Sequence, residues 1–184
     1  MALLGDAGPR RFRVSPGGSS GMIIGMSSCP ECGAAVASCD DLFQTLLALD
    51  HSRQEPWGPL HGVAVACYLL QHGSRLSRDD RAVHWALLHA YLRGGRATLA
   101  PMTDRARRLN THRDGGRPPR ADDYPGAPPF PGARPPRAYA TTIADVAVDG
   151  AFPATGYEDR LRVWAAATID AWTADGSGSV SRTT

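Results

Sequence analysis

Three of the four cysteines, Cys29, Cys32 and Cys39, fall within eleven residues. Cys29-Pro30-Glu31-Cys32-Gly33 places two thiols two residues apart, with a proline inside the turn and a glycine after it. This is the pattern of a zinc knuckle, whose tight turn aims both sulfurs and some backbone N–H groups at one cation. Cys39 supplies a third thiolate. A closed tetrahedral site needs one more donor, and the chain offers His51, His61, Cys67, His72, His84, His89 and His112. The trio reads as metal ligands, with Zn2+ as the expected structural ion and iron as the other metal that a sulfur-rich tetrahedral site accepts. A redox Cys-x-x-Cys pair is the weaker reading, because no strand-then-helix context of thioredoxin type surrounds it.

The elements that must position these donors follow from the pattern. Residues 1–28 are rich in Gly, Ser and Arg without periodicity and read as a disordered N-terminal extension. Within them, Met22 and Met26 are alternative starts, so the first 21 to 25 residues read as an upstream mis-start. The knuckle spans residues 29 to 36. A helix is predicted over Asp40–Asp50, where Asp40 and Asp41 suit a helix N-terminus and Leu42, Phe43, Leu46, Leu47 and Leu49 form an apolar face. Pro56-Trp57-Gly58-Pro59 reads as a turn, with Pro59 opening a second helix that runs to His72 and stops at Gly73. That helix is apolar on nearly every side and should be central. Ser77-Arg78-Asp79-Asp80 resembles a capping box for a third helix ending near Arg93, before Gly94-Gly95.

A short helix is predicted over Thr103–Leu109. Residues 113–137 carry eight prolines and read as a solvated, irregular connection, with a docking site for a proline-binding partner as the sharper alternative. Thr141–Val148 is ambiguous between strand and helix. Thr155-Gly156-Tyr157-Glu158 is a capping box opening a last helix to about Ala174, with Leu161, Trp164, Ala165, Thr168 and Trp172 on one face. Its tryptophans serve either the core or a dimer surface. Residues 175–184 read as a disordered tail. The expected fold class is therefore mainly α: one small helical bundle over 29–174, with an N-terminal zinc knuckle and a long Pro-rich connection.

Geometry prunes the fourth ligand. If the first two helices form an antiparallel hairpin, Cys39 lies beside His72, while His51 and His61 lie at the far end. His61 and His72 are eleven residues apart, about 16 Å of helix, so one ion cannot take both. His72 is the preferred ligand and Cys67 the second choice. Cys67 alone reads most simply as a small buried hydrophobe. His84 shares a face with Leu87, Leu88 and Tyr91 and reads as a hydrogen-bonded core histidine.

Composition excludes more than it assigns. The net charge of +2 makes no strong electrostatic demand for nucleic acid or membrane. All 20 basic residues are arginine, which reads as codon bias of a GC-rich, bacterial genome. No apolar run approaches the roughly 18 residues of a membrane span, and the N-terminus lacks the order of a signal peptide. The expected compartment is the cytoplasm, where clustered cysteines hold metals rather than form disulfides.

The motif order resembles the DUF5946 family. The resemblance is carried by the Cys-Pro-x-Cys-Gly start, the cysteine before Phe43 and the Leu-rich helix, and the stretch from His61 to His72 with its His-x-x-x-Val-x-x-Tyr-x-x-Gln-His pattern. Ala82-Val83-His84, Thr142-Ile143-Ala144-Asp145-Val146 and the span from Val163-Trp164 to Ala171-Trp172 complete it. The resemblance implies a small helical protein with a zinc site and no established activity. It singles out His61, His72 and His84, which favours His72 as ligand and keeps open a second polar site built from His61 and His84. The chain departs from the pattern at Ala66, where an acid is expected, at Cys67, where alanine is expected, and at Gly73, where proline is expected. The absent acid weakens a catalytic reading, and the replaced alanine argues against Cys67 as a family ligand.

Three functions follow in descending order. The first is a structural-zinc interaction module, its partner a protein or a second copy of the chain. The second is a metal-dependent, hydrolase-like enzyme built on His61, His72 and His84. It lacks a His-Glu-x-x-His motif, a phosphate-binding glycine loop and a Gly-x-Ser-x-Gly elbow. The third is weak nucleic-acid binding through the knuckle and Arg105, Arg107, Arg108 and Arg113. No aromatic residue is interleaved with those arginines.

Overall fold

The computed structural model of the chain describes residues 28–36, 38–101, 104, 118–124, 126–132 and 134–177. The expected N-terminal extension up to residue 27, most of the Thr103–Leu109 helix, the arginine cluster, His112 and residues 178–184 lie outside the described residues. Among the described residues the fold is mainly helical and holds no strand beyond one isolated bridge, Val148 to Ala151.

Helix α1 is Cys39–His51. Ser38 starts it, its Oγ accepting the Asp41 N–H at 3.1 Å, and Asp40 and Asp41 complement the positive end of the helix dipole. Helix α2 is Trp57–Gln71. It begins two residues before Pro59, so the expected turn at 56–59 is instead its first turn. Proline is tolerated there because the first N–H groups of a helix lack intrahelical acceptors. Helix α3 is Arg78–Gly94. Ser77 Oγ accepts the Asp80 N–H at 3.1 Å and donates to its carboxylate at 2.7 Å. Gly95 ends the helix at φ 59°, in the left-handed region.

The segment of ambiguous type resolves into a one-turn helix α4, Ile143–Val146. It carries a capping box: Asp145 accepts from the Thr142 N–H at 2.7 Å and from its hydroxyl at 2.9 Å. Helix α5, Tyr157–Ser177, extends past the expected Ala174. Near its start, Arg160 donates to the carbonyls of Val146, Thr155 and Pro153 at 2.9 Å each.

Helix α2 packs against α1, α3 and α5, as its all-round apolarity requires. Leu60, Val63, Ala64, Ala66, Cys67 and Leu70 are fully buried along it. On α5, Leu161, Trp164, Ala165, Thr168 and Trp172 are likewise fully buried, so both tryptophans serve the core. Each fully buried leucine contributes about 1.5–3 kcal/mol.

The Pro-rich connection departs from a solvated linker. Over its described parts, 118–124, 126–132 and 134–137, Tyr124 and Phe130 are buried, Phe130 packs against Trp85 and Trp172, and Trp85 Nε1 donates to the Pro128 carbonyl at 3.0 Å. Two aromatics set among prolines give this irregular strap enough apolar surface to dock on α3 and α5.

The C-terminal end of α2 is tied to the rest of the bundle by several hydrogen bonds. Gln71, almost wholly buried, donates through Nε2 to the Thr141 carbonyl and to Thr168 Oγ1, both at 2.9 Å. The Leu70 carbonyl accepts from Tyr139 Oη at 3.1 Å and Trp172 Nε1 at 3.3 Å. These bonds fix the backbone immediately before His72.

Candidate metal centre

The α1–α2 hairpin brings Cys39, on the first turn of α1, to His72, the residue closing α2. The knuckle folds over this end. Cys29 N donates to the Ala34 carbonyl at 2.8 Å and Gly33 N to the Cys29 carbonyl at 2.9 Å. Gly33 takes φ 80°, a conformation that disfavours other residues. The donor atoms of Cys29, Cys32, Cys39 and His72 then all lie within 4.8 Å of one another.

The separations can be compared with a coordination tetrahedron. Cys32 Sγ to Cys39 Sγ is 3.6 Å and Cys29 Sγ to His72 Nε2 is 3.6 Å. A tetrahedral zinc ion, with Zn–S of about 2.3 Å and Zn–N of about 2.0–2.1 Å, sets edges of about 3.8 Å between sulfurs and about 3.6 Å between sulfur and nitrogen. These four side chains could hold a metal ion with little rearrangement.

The imidazole is prepared for the role. His72 Nδ1 lies 3.0 Å from the Tyr68 carbonyl one helical turn back. Donation of the Nδ1 proton to that oxygen leaves the Nε2 lone pair facing the sulfurs, as ligating histidines require. The ring stacks on Tyr68 at 4.2 Å, and Tyr68 stacks on Phe43 at 3.7 Å. Tyr68 Oη donates to Asp40, next to Cys39. One stack thus joins both helices and sets the ring plane. Sequence reasoning missed Tyr68 and Asp40 as positioning residues. The four-residue spacing of Tyr68 and His72 was the available signal.

Without a cation this cluster is electrostatically costly. Burial pushes the Cys32 thiol up. Burial, and then the charge of neighbouring Cys32, pushes Cys39 up further. Burial also acts to raise Cys29, but N–H groups of Cys32 and Glu31 directed at its sulfur outweigh it and the thiol falls below its ordinary value. A divalent cation relieves both the burial of charge and the mutual repulsion.

The other predicted donors do not join the cluster. His61 lies at the far end of the hairpin, its Nδ1 3.0 Å from Asp50 Oδ2, with the His51 ring 5.7 Å from its own. Cys67 is fully buried in the core, where burial raises its thiol. His84 is half-buried on α3, its pKa lowered by burial against the opposing charge of Asp80. His89 packs edge-on against Trp85. The Asp50–His61 pair was also absent from the sequence reading, since only the helix crossing brings these residues together.

The family model for DUF5946, described as a family of unknown function, matches residues 27–173. The chain belongs to DUF5946. The match starts two residues before Cys29 and ends one residue after Trp172, so it takes in the knuckle, α1 to α4 whole, and α5 up to its last turn. No curated protein and no solved structure matches the chain.

Proposed function

We propose that this DUF5946 member is a structural-zinc protein: a helical interaction module whose ion pins the N-terminal knuckle to the α1–α2 hairpin. One observation carries the reading. The His72 Nδ1 bond to the Tyr68 carbonyl leaves Nε2 3.6 Å from Cys29 Sγ, inside a set of four protein donors. With every tetrahedral position taken by protein, no place remains for an activated water, and the ion contributes to folding instead. The hydrolase-like alternative needs metal-bound helix histidines, and His61 and His84 stand apart from the cluster. All four cysteines are free thiols, which agrees with a reducing cytoplasmic setting.

Metal content by elemental mass spectrometry, on the wild type and on Cys32→Ser, His61→Ala and His72→Ala, tests the proposal. The expected result is zinc in the wild type and in the His61 variant, lost in the other two. Metal that survives Cys32→Ser but disappears with His61→Ala moves the site into the helices and overturns the reading.

A further inference from the structure

A cleft of about 570 Å³ opens against the cluster, lined by Cys29, Cys39, His72 and Tyr68 among others. The three sulfurs differ in their relation to it. Cys29 is half-buried, Cys39 is 6% exposed, and Cys32 is wholly buried and absent from the lining. Cys29 is thus the least buried of the three cysteines, and the knuckle turn holds it three residues from a second thiol. Val36, Leu69 and Leu76 give the cleft apolar walls, which admit a small uncharged reagent.

We propose that Cys29 is a hydroperoxide-reactive site, reached through this cleft, and that Cys32 resolves it to a disulfide with release of the metal. The proposal rests on the zinc reading above. In the first step the Cys29 sulfur attacks the terminal oxygen of the peroxide. The S–O bond forms, the O–O bond breaks with its electron pair leaving on the departing oxygen, and Cys29 becomes a sulfenic acid. In the second step the Cys32 thiolate attacks the Cys29 sulfur, the S–S bond forms and hydroxide departs. The two thiolates are oxidised and the peroxide is reduced to hydroxide, or water after protonation. Cys32 is the resolving residue because it shares the closed 29–34 turn with Cys29, whereas Cys39 is anchored in the first turn of α1. With both knuckle ligands consumed, Cys39 and His72 alone hold the ion too weakly to keep it. Cys67, wholly buried in the core, is a built-in control.

The test uses the full chain, with zinc content measured first, treated with hydrogen peroxide in the presence of a chromogenic zinc chelator. Disulfides are then mapped by mass spectrometry. The expected result is zinc release in step with a Cys29–Cys32 disulfide, Cys67 unmodified, and recovery on adding dithiothreitol and zinc. Iodoacetamide labelling of the wild type gives an independent readout, with Cys29 labelled before Cys32 and Cys39. A first disulfide between Cys32 and Cys39, or labelling of either before Cys29, overturns the proposal. A chain isolated without zinc, and unable to take it up, overturns the structural-zinc reading instead, and the labelling order then still decides whether Cys29 is the accessible thiol.

Discussion

If the proposed zinc site is correct, replacing His72 takes away one of its four donors and leaves the rest of the bundle in place. The 3.6 Å separations across the cluster already match the edges a zinc ion needs, so binding costs little rearrangement. At free zinc about a thousandfold above Kd, binding stabilises the folded chain by about 4 kcal/mol. For a chain of this size each kcal/mol moves Tm by roughly 2–4 °C, so chelation should lower the wild-type Tm by about 8–16 °C. His72→Ala should melt near the chelated wild type and show no further response to chelator. His72→Cys restores a fourth donor and should recover most of the zinc-dependent shift, although it loses the stack on Tyr68. The assay is thermal unfolding followed by circular dichroism, with and without chelator, metal content being measured on each sample. An undiminished chelator-dependent shift in His72→Ala would refute the assignment of His72, and an absent shift in zinc-loaded wild type would refute the coupling of metal to stability.

At the far end of the hairpin, His61→Ala strips the partner from a buried Asp50 carboxylate. It should cost about 1–3 kcal/mol in urea unfolding while zinc content stays unchanged. Trp164→Ala, at a fully buried position on α5, should cost about 3–5 kcal/mol by the same assay, and a loss under 1 kcal/mol, about the level of a surface change, would contradict the packing described. Burial lowers the His84 pKa, with Asp80 opposing, and burial followed by Arg93 lowers that of His89, both from the ordinary 6.5. A depressed folded pKa means that the unfolded chain takes up protons first. Stability is therefore full above pH 6.5 and declines as pH falls through the folded values. Urea unfolding of the zinc-free chain across that window should show the decline, and His84→Leu should reduce it. Tyr68→Phe removes the hydroxyl bonded to Asp40 but keeps the carbonyl that orients His72. It should retain zinc and melt lower by the equivalent of about 1 kcal/mol.

Local signals made much of this molecule legible in advance. The knuckle is readable because Cys-Pro-x-Cys-Gly is a contiguous turn whose geometry is set by its own residues. The helices are readable because the apolar periodicity of α1 and α5, the acidic pair Asp40 and Asp41, and the cap at Ser77 act within a few residues. The pairing of Cys39 with His72 also followed, since a short connection leaves two helices little choice but an antiparallel hairpin. Family membership followed from the order of short motifs along the chain.

Only the tertiary structure decided the rest. The strap at 118–137 docks through Tyr124 and Phe130, because burial of an aromatic depends on a surface built by distant residues and proline density does not reveal it. Asp50 finds His61, and Gln71 finds Thr168, across helix contacts that no periodicity encodes. Which of the paired cysteines lines the cleft is decided the same way. Cys29 and Cys32 stand in one turn with equivalent chemistry in the sequence, and the packing of the knuckle on α1 and α2 leaves the first at the cleft and buries the second.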